Sequence, residues 1–268
     1  MNRPQVVSRD EWLTARKELL AEERALTHAH DALNARRREL PMVKVDKDYV
    51  FEGPSGEVRL PDVFEGRRQL IIFHLMWRWD LDAGCPSCSF QVDNMGHLSH
   101  LHAADTTLAV TTRGPWASLA RFRERMGWTV PAYSSFGSDF NYDFHVTLDP
   151  SVAPVEYNYQ SRAELEEAGQ PWFTEGELPG TSVFLRDGDD IFHTYTTYAR
   201  GSELLLGTFN YLDLTPLGRP YHVGEVPYHD RYGDEVRDTH VKFLLTDGVL
   251  SGGRDEQGRP AARRTPAT

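Results

Sequence analysis

Cysteine is nearly missing from this chain. Two in 268 residues cannot build a disulfide framework. No apolar run is long enough to cross a bilayer, and residues 1–10 hold no apolar stretch of signal-peptide length. Neither a Gly-x-Gly-x-x-Gly loop nor a Gly-x-x-x-x-Gly-Lys-Ser/Thr loop occurs, so no dinucleotide or phosphate cradle is expected. Positive charge is in deficit, with 29 Lys and Arg against 40 Asp and Glu. The net charge of −11 argues against a non-specific nucleic-acid surface. No internal repeat is visible. These absences lead us to expect a cytoplasmic protein with no cofactor and no membrane or nucleic-acid partner. The length suffices for one large domain or two small ones with a sizeable core.

The two cysteines that are present sit together, as Cys85-Pro86-Ser87-Cys88. They follow the apolar run at 70–77 and precede helix-forming sequence. A strand would deliver Cys85 to a helix N-terminus, where unpaired N–H groups and the helix dipole stabilise a thiolate. Cys88, one turn on, could attack a mixed disulfide formed by the first. Rotation of about 60° between the two positions makes Cys88 the buried resolving thiol and Cys85 the exposed nucleophile. The simpler alternative is two inert, buried, apolar cysteines. Trp77, Trp79, Asp80 and Asp82 stand just before the pair. A carboxylate there could take the resolving thiol's proton while the aromatics exclude water. A polar loop with core-packed tryptophans is the other possibility.

Along the chain, residues 8–40 read as one long helix opened by a Ser8/Glu11 capping box. Trp12, Leu19, Leu26 and Leu33 recur every seven residues on a face crowded with Glu and Arg. We expect this stripe to dock on the protein's own domain, with a second subunit as the alternative. A hairpin follows at 49–60, then the long apolar strand, then a helix of three to four turns carrying Phe90, Val92, Met95, Leu98 and Leu101. A strand at 106–112 and a helix after Pro115 complete a parallel βαβ unit. Residues 131–160 are aromatic and hydroxyl-rich with little periodicity, and 161–166 suggest a short helix. The Asp187-Gly188 turn predicts a hairpin over 182–195, and 204–212 a last helix. The expected division is a helix at 1–40, a main domain at 41–215, an irregular extension at 216–250 and a disordered tail at 251–268.

Two Cys plus nearby His97, His100 and His102 resemble a zinc set. On one helix, though, His97 would stand about 13 Å from Cys88 and on the opposite face. Zinc on the cysteines would need His74, His193 or His222 instead, and we expect no metal. Asp187, Asp189 and Asp190 lack the ligand spacing of a calcium loop. The stretches around 134–144 and 193–200 could form a pocket beside the cysteines. His193 and Arg200 would then face an anion or the Cys85 thiolate, while ordinary packing with satisfied hydroxyls is the alternative.

Read in order, the segments resemble the thioredoxin superfamily, nearest its peroxiredoxin and thiol-reductase branches. The hairpin Gly56-Glu57-Val58-Arg59-Leu60-Pro61-Asp62-Val63 and the strand Thr181-Ser182-Val183-Phe184-Leu185-Arg186-Asp187-Gly188 carry that likeness. More closely, the chain resembles the bacterial thioredoxin-like family DUF899. The matching stretches are Gly84-Cys85-Pro86-Ser87-Cys88-Ser89-Phe90, Arg125-Met126-Gly127-Trp128, residues 134–141, His193-Thr194-Tyr195 with Tyr198-Ala199-Arg200-Gly201, and residues 212–216. The resemblance implies an α/β fold: a thioredoxin-like central sheet flanked by helices, with an N-terminal helical and a C-terminal irregular extension. Where thioredoxins place a cis-proline against the disulfide, this chain has Thr181, so a thioredoxin substrate groove is not implied. The expected activity is that of a thiol–disulfide oxidoreductase or thiol-dependent peroxide reductase. Cys85 and Cys88 would be catalytic, with Trp79, Asp82, Thr181, His193 and Arg200 as pocket residues. The partners would be a thiol or disulfide substrate and a thioredoxin-type electron donor, the chain being a monomer or homodimer. The competing class is a non-catalytic binding module with a small-molecule or metal site near the cysteines.

Overall fold

A computed structural model describes residues 4–232. The last part of the expected extension, 233–250, and the expected tail, 251–268, lie outside the described residues. Helix α1 (Arg9–Arg38) is nucleated as its sequence predicts. The Ser8 hydroxyl accepts from the Glu11 N–H, and the Glu11 carboxylate accepts from the Ser8 N–H at 2.9 Å. Acids in the first turn and Arg36, Arg37 and Arg38 in the last match the helix dipole. Yet no residue of α1 is buried, which corrects the expected docking on its own domain. Trp12, Leu19, Leu26 and Leu33 all stay exposed, and at the far end Arg37 lies over the Tyr195 ring.

The body follows in chain order as β1 (Val43–Lys44), β2 (Val50–Gly53), β3 (Gly56–Arg59), α2 (Leu60–Val63), β4 (Gln69–His74), β5 (Trp77–Arg78) and β6 (Ala83–Gly84). Then come α3 (Pro86–Asp93), α4 (Ser99–Ala103), β7 (Thr106–Thr112), α5 (Trp116–Arg125), β8 (Ala132–Ser134), α6 (Phe140–Asp143) and β9 (Thr147–Leu148). The remainder is β10 (Glu156–Tyr157), β11 (Gln160–Ser161), α7 (Arg162–Glu167), β12 (Gly176–Glu177), β13 (Gly180–Asp187), β14 (Asp190–Tyr198) and α8 (Gly207–Asp213). Eight strands form one mixed sheet in the order β1-β14-β13-β4-β7-β8-β2-β3. β4, β7 and β8 run parallel, as the βαβ pattern requires, while β13 joins β4 antiparallel and β14 returns beside it. Strand β4 feeding a helix, a parallel β7 on one side and an antiparallel hairpin on the other make this a thioredoxin-like α/β fold.

Strand alternation gives the sheet two different faces. Leu70 and Ile72 of β4 pack with Phe64, Phe140 and Phe184 in one core, whereas Phe73 joins Leu75, Trp77, Cys85 and Cys88 in another. The segment after Cys88 differs from its expected three to four turns. α3 stops at Asp93, because the Asn94 amide bonds the Phe90 carbonyl at 2.7 Å and accepts from the Thr208 N–H of α8 at 2.7 Å. A loop then separates it from the short α4. The apolar run at 70–77 is likewise not one strand: β4 ends at His74, and β5 and β6 form a separate two-stranded ribbon. From 216 to 232 the chain is irregular, with short 3-10 turns at Val223–Glu225 and His229–Arg231.

Candidate active site

Cys85 occupies the N-cap of α3, with Pro86 at the first helical position, where a missing N–H costs nothing. The β5–β6 ribbon aims it there: the Cys85 N–H donates to the Met76 carbonyl at 2.8 Å, and the Cys85 carbonyl receives the Ser89 N–H at 2.8 Å. The ribbon packs tightly. A side chain at Gly84 would meet Phe122 at 2.8 Å, and one at Gly114 would strike the Trp77 ring at 2.3 Å. The Ser87 hydroxyl lies 3.1 Å from the Cys85 sulfur.

Both thiols are free and buried, Cys85 being 4% exposed and Cys88 3%. The expectation of an exposed Cys85 is therefore corrected. A distant segment covers it: the Tyr228 hydroxyl donates to the Gly84 carbonyl at 2.7 Å, and its ring packs edge-on to Phe122. Arg125 holds that segment by a two-pronged pair with Asp230, 2.9 Å on each arm, and stacks over Tyr228.

The Cys88 thiol is pushed well above its ordinary value, first by its hydrogen bond to Cys85, then by burial and by charge at Cys85. The Met76 N–H pulls weakly the other way. Arg78 of β5 is the cation that sequence reasoning missed. Its guanidinium forks onto Asp80 at 2.8 and 2.6 Å and lies within electrostatic reach of Cys85. Its pair with Asp80 dominates the raised basicity of Arg78, and charge on Cys85 adds to it. Tyr228 and Tyr157 were missed as well. Burial raises both phenols first, and charge on a cysteine adds to each, Cys85 for Tyr228 and Cys88 for Tyr157. Alternation along β5 puts Trp77 inward and Arg78 on the other face, a signal present in the sequence.

The five expected pocket residues do not converge. Thr181 is buried on β13, opposite Phe73 and so on the cysteine face, with its hydroxyl 3.2 Å from that of Ser202. Trp79 is half exposed at the ribbon tip, against Phe136. Asp82 turns to α5 instead, accepting from Ser118 at 2.9 Å and Arg121 at 3.1 Å. Arg200 points into solvent with its side chain 87% exposed and pairs with Glu203. His193 is on the opposite face of the sheet. A bulge between Val183 and Phe184 shifts the register so that His193 pairs with Phe184 rather than Leu185, turning its ring onto Phe144 and Phe184.

That opposite face holds a buried hydrogen-bonded chain. Thr111 approaches His74 Nδ1 at 3.4 Å, His74 Nε2 meets the Ser182 hydroxyl at 2.9 Å, and Thr196 donates to Ser182 at 3.0 Å. His193 Nε2 completes it, 2.6 Å from the Thr196 hydroxyl. Burial lowers the His74 pKa to about 3, so His74 is neutral at ordinary pH. Among the described residues no three His, Cys, Asp or Glu side chains group as a metal site would require. No described helix is long and apolar enough to cross a membrane.

A thioredoxin-like sheet with two thiols at the start of the helix after β4 defines the class. The chain belongs to the family described as "Bacterial protein of unknown function (DUF899)", whose model matches residues 1–232. Among curated proteins none matches it. Solved structures similar to it include peroxiredoxin Q of Xanthomonas campestris, at 14% identity over 60% of this chain and 90% of that one, with a TM-score of 0.39. Peroxiredoxin 6 of Arenicola marina is similar at 10% identity over 65% and 74%, with a TM-score of 0.41.

Proposed function

We propose that this protein is a dithiol reductase of small oxidants, low-mass disulfides or peroxides, in which Cys85 attacks and Cys88 resolves. One observation carries the reading: Cys85 caps α3 at the strand-to-helix junction with Cys88 in the first turn behind it, and the Cys88 thiol is pushed well above its ordinary value by its hydrogen bond to Cys85. The start of α3, the Ser87 hydroxyl and the Arg78 guanidinium all favour a thiolate there. Burial of Cys85 beneath Tyr228 favours a small oxidant over a bulky protein disulfide.

With a disulfide RSSR, the Cys85 thiolate forms a mixed disulfide and expels RS⁻. The Cys88 thiol then loses its proton, attacks Cys85 and releases the second RS⁻. With a peroxide ROOH, Cys85 attacks the terminal oxygen, ROH leaves after protonation, and the resulting sulfenic acid condenses with Cys88 to a disulfide and water. An external dithiol, such as a thioredoxin-type donor, supplies the two electrons that restore the pair.

The deciding experiment is trapping. Cys88→Ser, given a low-mass disulfide, should retain a stable adduct on Cys85 visible by intact mass. Cys85→Ser should retain none. Equal adducts on both variants would overturn the assignment of roles. Wild-type protein should lose both thiols on stoichiometric oxidation, and two thiols inert to disulfide and peroxide alike would overturn the reductase reading.

A further inference from the structure

We propose that α1 is a dimerisation helix that pairs antiparallel with α1 of a second copy of this chain. The inference is independent of the chemistry at Cys85. It starts from a helix that its own domain does not support. α1 has 30 residues and is about 45 Å long, and none of them is buried. Helices in proteins draw most of their stability from packing an apolar face rather than from propensity, so a helix of this length without a packed face lacks its main support.

The face is there. Trp12, Leu19, Leu26 and Leu33 are 47%, 50%, 72% and 44% exposed, one every seven residues, with Leu13 beside them. One large apolar residue per heptad makes a row narrower than the broad stripe of a helix lying on a domain. Large apolar side chains recurring about every 10 Å along one helix face are more ordered than the singly scattered exposed apolar residues that monomers carry.

Charge selects the occupant and its direction. Residues 9–23 carry five acids and three bases, whereas residues 24–38 carry four bases and one acid. A parallel pair would set like on like. An antiparallel pair sets the acidic half of each helix along the basic half of the other and also opposes the two helix dipoles. In the register that brings Trp12 of one copy to Leu33 of the other, Leu19 meets Leu26. Arg36, Arg37 and Arg38 then face residues 9, 8 and 7 of the other copy, within about one turn of its Asp10 and Glu11. Glu23, near the centre of such a pair, is already neutralised within its own helix by Arg16 at 2.8 Å. A seam one helix wide is small for an interface, so the association should depend on concentration.

The test is sedimentation velocity on the full chain over a micromolar dilution series. Wild type should approach twice its 30.5 kDa mass as concentration rises. Leu19→Asp with Leu26→Asp should sediment as a single chain throughout while keeping the thermal transition of the body, since neither side chain is buried there. Direction is tested by charge reversal. Asp10→Arg with Glu11→Arg should shift the dimer to higher concentration, and adding Arg36→Glu with Arg37→Glu in the same chain should restore it. Wild type that stays a single chain at every concentration, or stripe variants that stay dimeric, would overturn the proposal. Charge reversals without effect on the dimer would overturn the antiparallel arrangement.

Discussion

The two faces of the central sheet are built from alternate residues of the same strands, yet they do opposite things with polar atoms. On one face, polar groups near Cys85 are few and directed at sulfur: the Ser87 hydroxyl, the start of α3 and the field of Arg78. On the other, His74, Ser182, Thr196 and His193 bond one another under a lid of Phe140 and Phe144. A fully satisfied buried network rigidifies a core, and its groups are held in one protonation state. A site for chemistry needs the reverse, a group whose two protonation states are both reachable. Position along β4 assigns the roles: Phe73 faces the thiols, and His74, one residue on, faces away.

The comparison predicts that the faces can be broken separately. The largest effect belongs to the thiols. Cys85→Ser should abolish reduction of disulfide and peroxide, because the thiol that remains, Cys88, is buried and pushed up by that burial. Its unfolding midpoint should move little, since serine nearly matches cysteine in volume, though a hydroxyl fits the apolar cluster less well. Stopped activity with an unchanged melting curve is the expected pair of readings. If activity survives in Cys85→Ser, the catalytic face has been misassigned.

The converse break is next in size. His74→Leu keeps bulk but strips the Ser182 and Thr111 hydroxyls of a buried partner. The loss should be about 1–3 kcal/mol, read as a lower urea midpoint with an unchanged slope. Ser182→Ala cuts the chain between His74 and Thr196 and should cost about as much. Neither change should remove the mixed-disulfide trap in a Cys88→Ser background. Loss of trapping with full stability would mean that the His74 chain communicates with the cysteines through the sheet.

How much of this could be read from the chain depended on how local each cause was. The Ser8/Glu11 box set the start of α1, and the Asp187-Gly188 turn set the β13–β14 hairpin, both through neighbours a few residues apart. The placement of Cys85 at a strand-to-helix junction was equally local. What the sequence hid was decided at a distance. The stop of α3 at Asn94 needs Thr208 of α8, and the cover over Cys85 comes from Tyr228, 144 residues away from Gly84. One extra residue in β14 moved His193 to the far face, a change no periodicity reports. α1 shows the reverse failure: its stripe was read correctly, but the sequence could not say that the body would leave it uncovered.

Titration sharpens the contrast on a smaller scale. His74 has a folded pKa of about 3 against 6.5 unfolded. As pH falls below 6.5 the unfolded chain takes up this proton and the fold does not, so stability drops toward pH 3, by at most about 1.4 kcal/mol per unit. Half-buried His193, also lowered by burial, adds in the same sense. Glu177 works against both. Burial lifts its carboxyl to about 7 from 4.5, despite Arg113 and Thr147, so its contribution is complete below 4.5 and lost as pH rises to 7. Between pH 4.5 and 6.5 the terms oppose, and wild-type stability should be nearly flat. Glu177→Gln should reveal stability that rises with pH across that window. His74→Leu should leave stability that falls with pH across the same window, as Glu177 takes over with only His193 against it. Parallel urea midpoints for all three proteins would contradict these protonation states.

The smallest expected effect tests the cation at the thiols. Arg78 is half of a neutral pair with Asp80, so the field it lends Cys85 is already reduced by its own carboxylate. Removing the guanidinium takes away attraction for a thiolate, but the start of α3 and the Ser87 hydroxyl remain. Arg78→Met, which keeps an apolar stem along the ribbon, should therefore slow alkylation of Cys85 only severalfold near neutral pH. Its rate–pH profile should move to higher pH, because a less stabilised thiolate forms later. Asp80→Asn should move the profile the other way, since it frees the guanidinium from its competing partner. Opposite displacements by the two variants would identify the pair as the tuner of the nucleophile. A shift in the same direction for both would mean that they act by disturbing the ribbon and not by charge.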